Sequence, residues 1–302
     1  MSGVGSARMV FVLGTGRCGS TLVHEVLARH PDVGFISNVE DRWPRATLGA
    51  PGGRLYRSLR PELSLKGRAR FAPSEAYRAL DARVSPMLSA PSRDLTADDA
   101  TPWLTARLRR FFDAHASAHG RPVFLHKFTG WPRVGLLKAV WPDARFVHVV
   151  RDGRAVANSL LQMPWWRGWG GPEAWSFGPL SAAYLEEWEA AGRSFVALAG
   201  LEWKLLVEAY DAASASVPTA DWLELRYEDV VADPRAAFQE MLDFSFLEWT
   251  AEFQRGFDRY VFDPDRTESF RVDLGPRQVR LLDQVLGERL QRYGYRVEQR
   301  PA

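Results

Sequence analysis

Short runs of apolar residues alternate along the chain with stretches in which apolar residues recur every three or four positions. The first run, residues 9–13, ends at Gly14, and a helical period begins at Ser20. A buried strand reads as a short apolar run, whereas an amphipathic helix has a period of 3.6 residues. The pattern therefore predicts a strand, a glycine-rich loop and a helix. One side of that helix is apolar: Leu22, Val23, Val26 and Leu27.

The same alternation continues to the end of the chain. Further strands are predicted at residues 33–36, 123–125, 145–150 and 221–225, and helices at 134–140, 155–161, from Pro234, and from Pro276 to about Tyr293. Strands that alternate with helices favour a parallel sheet covered on both faces, with ligands beyond the carboxyl ends of the strands. The predicted fold class is α/β, a P-loop-like parallel sheet with helices on both faces.

Two segments interrupt this pattern. Residues 41–120 are rich in arginine and punctuated by proline, with helical patches at 76–83 and 103–118, which predicts a mostly helical insertion on the substrate side. Residues 164–178 are rich in tryptophan and precede a long helical pattern at 180–212, so they form a candidate lid. We expect one domain over residues 1–302, because a chain of this length, 46% apolar, can bury one large core.

Charge and cysteine content narrow the class of protein. A net charge of +2 gives no bulk attraction to nucleic acid or to an anionic membrane. Cys18 is the only cysteine, so no internal disulfide can form, which fits a reducing cytoplasm. The apolar run at 9–13 is too short for a signal peptide or a membrane span. The sequence therefore predicts a cytoplasmic protein without export or a membrane anchor.

The loop between the first strand and helix has the composition of a phosphate site, and it reads Gly14-Thr15-Gly16-Arg17-Cys18-Gly19-Ser20-Thr21. Backbone N–H groups and the helix dipole hold phosphate in this context. A triphosphate loop has a lysine after its second glycine, but here Ser20 follows Gly19 directly. Arg17 can instead meet a different anion, and the Ser20 and Thr21 hydroxyls can donate to a phosphate. An ordinary tight turn with glycines for packing is the alternative.

This loop resembles the 5′-phosphosulfate loop of sulfotransferases that use 3′-phosphoadenosine 5′-phosphosulfate (PAPS), commonly written P-x-S-G-T-T. Cys18 stands in place of the usual serine and Gly16 in place of the proline. The string at residues 30–33 is similar to the bacterial and tyrosylprotein branches of the family. The resemblance implies that the nucleotide contacts Gly16, Arg17, Cys18, Gly19, Ser20 and Thr21.

Two later motifs extend the resemblance. Residues 145–159 are similar to the 3′-phosphate motif, which implies that Arg151 and Ser159 clamp that phosphate; pairing of Arg151 with a carboxylate is the alternative. Residues 225–234 resemble the family's Y-E-D-L-x-x-x-P segment and imply that Tyr227 lies near the nucleotide. Ser269 precedes the last helix, where family members often return a loop to the nucleotide.

Catalysis needs cations at the leaving group and a base at the acceptor. Lys127 resembles the family lysine, and we expect Lys127 and Arg17 to stabilise the leaving group. Thr129 stands where cytosolic small-molecule members carry a histidine. The tyrosylprotein and heparan-type branches use a glutamate after the first helix, and the resemblance to that branch implies Glu40 as the base. Two alternatives stay open, Asp41 and His126.

The predicted activity is transfer of a sulfuryl group from PAPS to a hydroxyl of a small-molecule, carbohydrate or lipid acceptor. Four tryptophans are candidates either for stacking on that acceptor or for packing that closes the domain: Trp165, Trp166, Trp169 and Trp175. A nucleotide-dependent kinase and a non-catalytic protein that binds PAPS or its product are the alternatives. No metal is predicted, because histidines 24 and 30 are six apart and histidines 115 and 119 lack a third ligand in the sequence.

Overall fold

Five parallel strands lie at the centre of the computed structural model, which describes residues 7–59 and 71–297. The strands are β1 (Arg8–Gly14), β2 (Val33–Gly34), β3 (Val123–Thr129), β4 (Arg145–Val150) and β5 (Trp222–Arg226). Their spatial order is β2-β3-β1-β4-β5, so the first strand of the chain lies in the middle of the sheet. Because every pair is parallel, all the strands end at the same edge.

Helices cover both faces of the sheet. In chain order they are α1 (Ser20–Leu27), α2 (Asn38–Arg42), α3 (Gly49–Ser58), α4 (Tyr77–Arg83), α5 (Pro102–His119), α6 (Val134–Val140), α7 (Gly153–Leu161), α8 (Ala182–Ala190), α9 (Phe195–Ala215), α10 (Tyr227–Ala232), α11 (Pro234–Phe244), α12 (Ala251–Phe257) and α13 (Phe270–Arg292). In the described ranges, no helix combines the length and the apolar character that crossing a membrane requires.

The central strand supplies side chains to two separate cores. Phe11 and its alternate neighbours on β1 pack with α4, α5 and α6, while Val10 and Val12 pack with α1, α11 and α12 on the other face. Side chains of a strand alternate between its faces, so a strand buried on both sides must be apolar throughout. This explains why residues 9–13 form an unbroken apolar run.

The predicted fold class is confirmed, and the strands and helices fall close to their predicted positions. Two differences have local causes. The helix predicted over 180–212 is two helices, α8 and α9, because Gly192 and Arg193 have positive φ and Ser194 caps α9. The last helix begins at Phe270, ahead of Pro276, but Gly275 is non-helical and kinks it immediately before that proline.

Candidate active site

The loop after β1 is held in a left-handed conformation at three positions. Gly16, Arg17 and Gly19 have φ of 86°, 56° and 90°. Glycine adopts such angles without strain, which explains the two glycines in the loop. Helix α1 then begins at Ser20 without a side-chain cap. Its first N–H groups and the positive end of its dipole therefore remain available to an anion.

Cys18 points away from the mouth of this loop. Its side chain is fully buried with Val10, Val12 and Val23. A Cβ added to Gly14 would lie 2.3 Å from the Cys18 sulfur, so the thiol fills the space that this glycine leaves. Cys18 can therefore present only its backbone to a ligand.

Tyr227 packs directly against the loop from the first turn of α10. A Cβ added to Gly19 would lie 2.1 Å from the Tyr227 ring, whereas a Cβ on Gly16 would meet nothing within 4 Å. The guanidinium of Arg151 lies 4.7 Å from the centre of the same ring. The structure therefore places Tyr227 against the loop that is the candidate nucleotide site.

Two arginines meet at the mouth of the loop without a carboxylate partner in the described ranges. Arg17 donates to the Ser159 hydroxyl at 2.8 Å, and Arg151 donates to the Arg17 carbonyl at 3.2 Å. Partial burial and the like charge of Arg151 lower the pKa of Arg17. The Arg151 Nε atom is buried without a hydrogen-bond partner. Two cations held together in this way favour binding of an anion between them.

Lys127 lies on the other side of the loop, near the carboxyl end of β3. Its ammonium donates to the Thr21 hydroxyl at 2.6 Å and pairs with the Glu75 carboxylate at 3.0 Å. Glu75 also accepts a hydrogen bond from Thr129 at 3.0 Å. The Lys127 side chain is 6% exposed and that of Glu75 is 28% exposed. A cation fixed on the loop and a partly exposed carboxylate therefore stand side by side.

A cavity of about 150 Å³ opens beside the loop. Thr15 and Gly16 of the loop line it together with Tyr77 and Thr129. The segments predicted as insertion and lid both contribute lining residues: Ser89, Ala90, Pro91, Trp165, Ser176 and Phe177. Trp166 and Trp175 are buried, while Trp165 and Trp169 are 58% and 51% exposed.

None of the three residues considered as the base lines this cavity. Glu40 is 1% exposed and completes a capping box at the start of α2, accepting from the Ser37 N–H and hydroxyl at 2.7 Å and from the Leu48 N–H at 2.8 Å. Asp41 accepts from the Ala79 N–H at 3.1 Å. His126 is fully buried, and burial lowers its pKa to about 3. Because Glu40 is enclosed and bonded through both oxygens, it does not fit the predicted role.

Ser269 has an indirect link to this site. Its hydroxyl donates to the Arg266 carbonyl at 3.1 Å, and that carbonyl accepts from Arg151 at 3.4 Å. The segment before α13 thus reaches the arginine pair, although through Arg266. The histidine pair of α5, His115 and His119, is buried, and no group of three potential ligands that could hold a metal occurs among the described residues.

Sequence reasoning missed two carboxylates at this site. Glu75 lies in the segment predicted as an insertion, 54 positions from Thr129 in the chain. Glu202 lies within the predicted long helix and lines the cavity. Neither residue belongs to a motif, so only the folded chain shows where they lie.

The fold and loop together define an α/β protein with a candidate anion site at the carboxyl end of its central strand. Comparison with known proteins gives the family. Residues 9–251 match the model of the Sulfotransferase family. A search of curated proteins finds no significant match.

Solved structures agree in fold. Sulfotransferase STF1 from Mycobacterium tuberculosis is 19% identical with a TM-score of 0.55, covering 90% of this chain and 77% of its own. Sulfotransferase STF9 from Mycobacterium avium is 18% identical with a TM-score of 0.56, covering 98% and 79%. The sulfotransferase domain of the curacin biosynthetic pathway is 12% identical with a TM-score of 0.56, covering 97% and 99%.

The chain belongs to the sulfotransferase family. The enzyme class predicted from the sequence, a sulfotransferase, is confirmed.

Proposed function

We propose that this protein transfers a sulfuryl group from PAPS to a hydroxyl of a small acceptor bound in the cavity beside the loop. The arginine pair at the loop is the observation that carries this proposal. Arg17 and Arg151 share no carboxylate partner in residues 7–59 and 71–297, and Arg151 keeps a buried N–H without a partner. Such an arrangement is costly unless an anion completes it.

The residues around the loop fit the two charged ends of this nucleotide. The N–H groups of the Gly16–Ser20 turn and the hydroxyls of Ser20 and Thr21 would hold the 5′-phosphosulfate. Arg151 and Ser159 would hold the 3′-phosphate, Tyr227 would pack nearby, and Ser269 would support the segment around Arg266. PAPS supplies the activated sulfuryl group; everything else in the reaction falls to side chains of the protein.

Lys127 and Arg17 are suited to stabilise the leaving group. Lys127 is fixed to the loop through Thr21, so its charge would stand beside the phosphosulfate of a nucleotide bound on the loop. Arg17 projects from the loop itself. Preorganised cations aimed at developing negative charge are among the largest contributions to catalysis.

We propose Glu75 as the general base in place of Glu40, Asp41 or His126. Its carboxylate is partly exposed and bonded to Lys127 and Thr129, and Thr129 lines the cavity. Glu75 would take the acceptor's proton while the acceptor oxygen bonds to sulfur and PAP (3′-phosphoadenosine 5′-phosphate) departs. Thr129 occupies the place of the histidine of the cytosolic branch. A glutamate base beside it supports our placement of this chain nearer the tyrosylprotein and heparan-type branches, which use a glutamate.

The lining of the cavity favours a small, largely apolar acceptor over a long carbohydrate or lipid chain. Aromatic rings of Tyr77, Trp131, Trp165 and Phe177 supply much of its wall. Aromatic walls with a few polar groups are typical of small-molecule sites. The single buried cysteine, Cys18, supports a cytoplasmic location.

Calorimetric titration with PAP tests the nucleotide site. We expect the wild type to bind PAP and Arg151→Ala to bind at least about 100-fold more weakly, because charged hydrogen bonds contribute about 1.5–3 kcal/mol each. Arg280→Ala is the matched control, since Arg280 is exposed on α13. Failure of the wild type to bind PAP would overturn the proposal. Binding of ATP instead would favour a kinase, and PAP binding without turnover a non-catalytic protein.

A further inference from the structure

Glu202 is a buried carboxyl group in the wall of the acceptor cavity. It lies on α9, is 3% exposed, and lines the cavity beside Leu160 and Trp165. The Trp166 indole N–H donates to its Oε2 at 2.8 Å. Within the described part of the chain, its other oxygen has no hydrogen bond. One carboxyl oxygen is therefore left for a ligand.

No cationic side chain pairs with Glu202 in the described part of the chain. Burial raises the pKa of Glu202 to about 7, opposed only by the Trp166 hydrogen bond. Arg133 also lines the cavity, but it donates to the carbonyls of Leu88, Thr129 and Trp131 instead. A buried carboxyl with one hydrogen bond is costly, and such groups concentrate at functional sites.

Glu202 and the reacting groups lie on different elements around the same cavity. Thr15, Gly16 and Thr129 mark the reacting end, where the loop and the Glu75–Lys127 pair meet. Glu202 comes from α9. An acceptor that fills the cavity can therefore offer its hydroxyl to the reacting end and a second polar group to Glu202.

We propose that Glu202 receives a hydrogen-bond donor of the acceptor, so that the preferred substrate has an aromatic or apolar body carrying one hydroxyl for transfer and a second hydroxyl or amine. This inference rests on the proposed function, because it assigns the cavity to the acceptor. The aromatic wall matches the body and the carboxyl matches the second group. The site thereby discriminates against purely apolar phenols, which leave the second oxygen of the buried carboxyl without a partner.

Three phenols that differ only at the end of the side chain test this inference. Para-propylphenol ends in a methyl group, tyrosol in a hydroxyl and tyramine in an ammonium. We would titrate each into the wild type by calorimetry, with and without PAP. Tyrosol and tyramine should bind about tenfold more tightly than para-propylphenol, because one hydrogen bond to a charged or buried group contributes about 1.5 kcal/mol.

Two substitutions assign that preference to Glu202. Glu202→Leu should abolish it for both ligands. Glu202→Gln can still accept from Trp166 and presents N–H groups to the cavity. It should therefore lose the preference for tyramine over para-propylphenol but retain the preference for tyrosol. Glu186→Gln, an exposed position on the neighbouring α8, is the matched control and should change nothing. The Gln variant carries the test if the Leu variant fails to fold.

Equal binding of the three phenols to the wild type would overturn the inference, as would binding of none of them or a preference that survives in Glu202→Leu. Titration with PAP alone separates the two proposals. If PAP binds and the preference is missing, only the role of Glu202 fails. If PAP does not bind, the proposed function fails, and the titrations without PAP still decide whether Glu202 recognises a donor.

Discussion

At the scale of single residues, the loop shows how a departure from a family motif can leave a site intact. Cys18 replaces the usual serine, but its side chain is buried against Gly14 and the core. A free cysteine behaves as a small hydrophobic residue when buried. The substitution therefore changes the packing beneath the loop, while the backbone of the loop still faces the site.

Changing Glu75 or Glu40 to glutamine should affect kcat and stability differently. Glu75→Gln should lower kcat for transfer from PAPS to para-nitrophenol by about 10²-fold or more, because a positioned base contributes about 10²–10⁴-fold. Binding of PAP should change little. Glu40→Gln should leave kcat within a few-fold and lower stability, because it disturbs the buried cap of α2. Steady-state kinetics and thermal unfolding of both variants check this; a loss of kcat confined to Glu40→Gln would contradict it.

The residues proposed to hold the nucleotide can be recognised in the sequence, whereas Glu75, the proposed base, cannot, for a physical reason. Arg17, Ser20 and Tyr227 follow the ends of strands, where local pattern and chain order place them. Glu75 reaches Thr129 only through the packing of a segment without regular pattern. Glu40 has the sequence of a capping box, Ser37 followed three residues later by glutamate, and that local signal indicates its observed role.

At the scale of elements, helix boundaries follow local chemistry that an apolar period alone does not show. The apolar period over 180–212 is continuous, yet the helical conformation is interrupted at Gly192. It resumes after Ser194, which caps α9. Glycine followed closely by serine is a stop and a start signal. The break matters for function because α9 carries Glu202 into the cavity wall.

Glu202 on α9 should make stability depend on pH in an unusual direction. Its pKa is raised from 4.5 to about 7. The folded state therefore holds the proton more tightly, and this carboxyl contributes a loss of stability as pH rises from about 4.5 through 7. Glu202→Gln should be more stable than the wild type at pH 8, by up to about 3 kcal/mol, and similar near pH 5. Urea unfolding across this range measures the difference; parallel curves at all pH values would contradict it.

At the scale of the whole molecule, chain order and parallel pairing bring distant motifs together. Gly14 on β1 pairs with Thr129 on β3, and Leu13 pairs with His148 on β4. The loop, Lys127 and Arg151 therefore gather at one edge, as expected for the carboxyl ends of a parallel sheet. The sequence predicted this edge because strands that are buried on both faces appear in it as unbroken apolar runs.

Buried histidines should make the whole protein sensitive to acid. Burial lowers the pKa of His119 to about 4 and of His126 to about 3, and that of His24 well below its ordinary value. The unfolded chain binds these protons near pH 6.5, so the free energy of unfolding should fall from pH 6.5 toward 4, by about 2–3 kcal/mol for each of His119 and His126.

The variant His126→Phe isolates one of these contributions. The His126 ring lies edge-on to Phe112 at 5.0 Å and Phe128 at 4.7 Å, so a phenyl ring suits the same surroundings. We expect this variant to fold and to lose less stability between pH 7 and 4.5 than the wild type does. Urea unfolding at several pH values gives both slopes. Because a phenyl group cannot bind a proton, equal slopes would show that His126 does not contribute to the acid sensitivity.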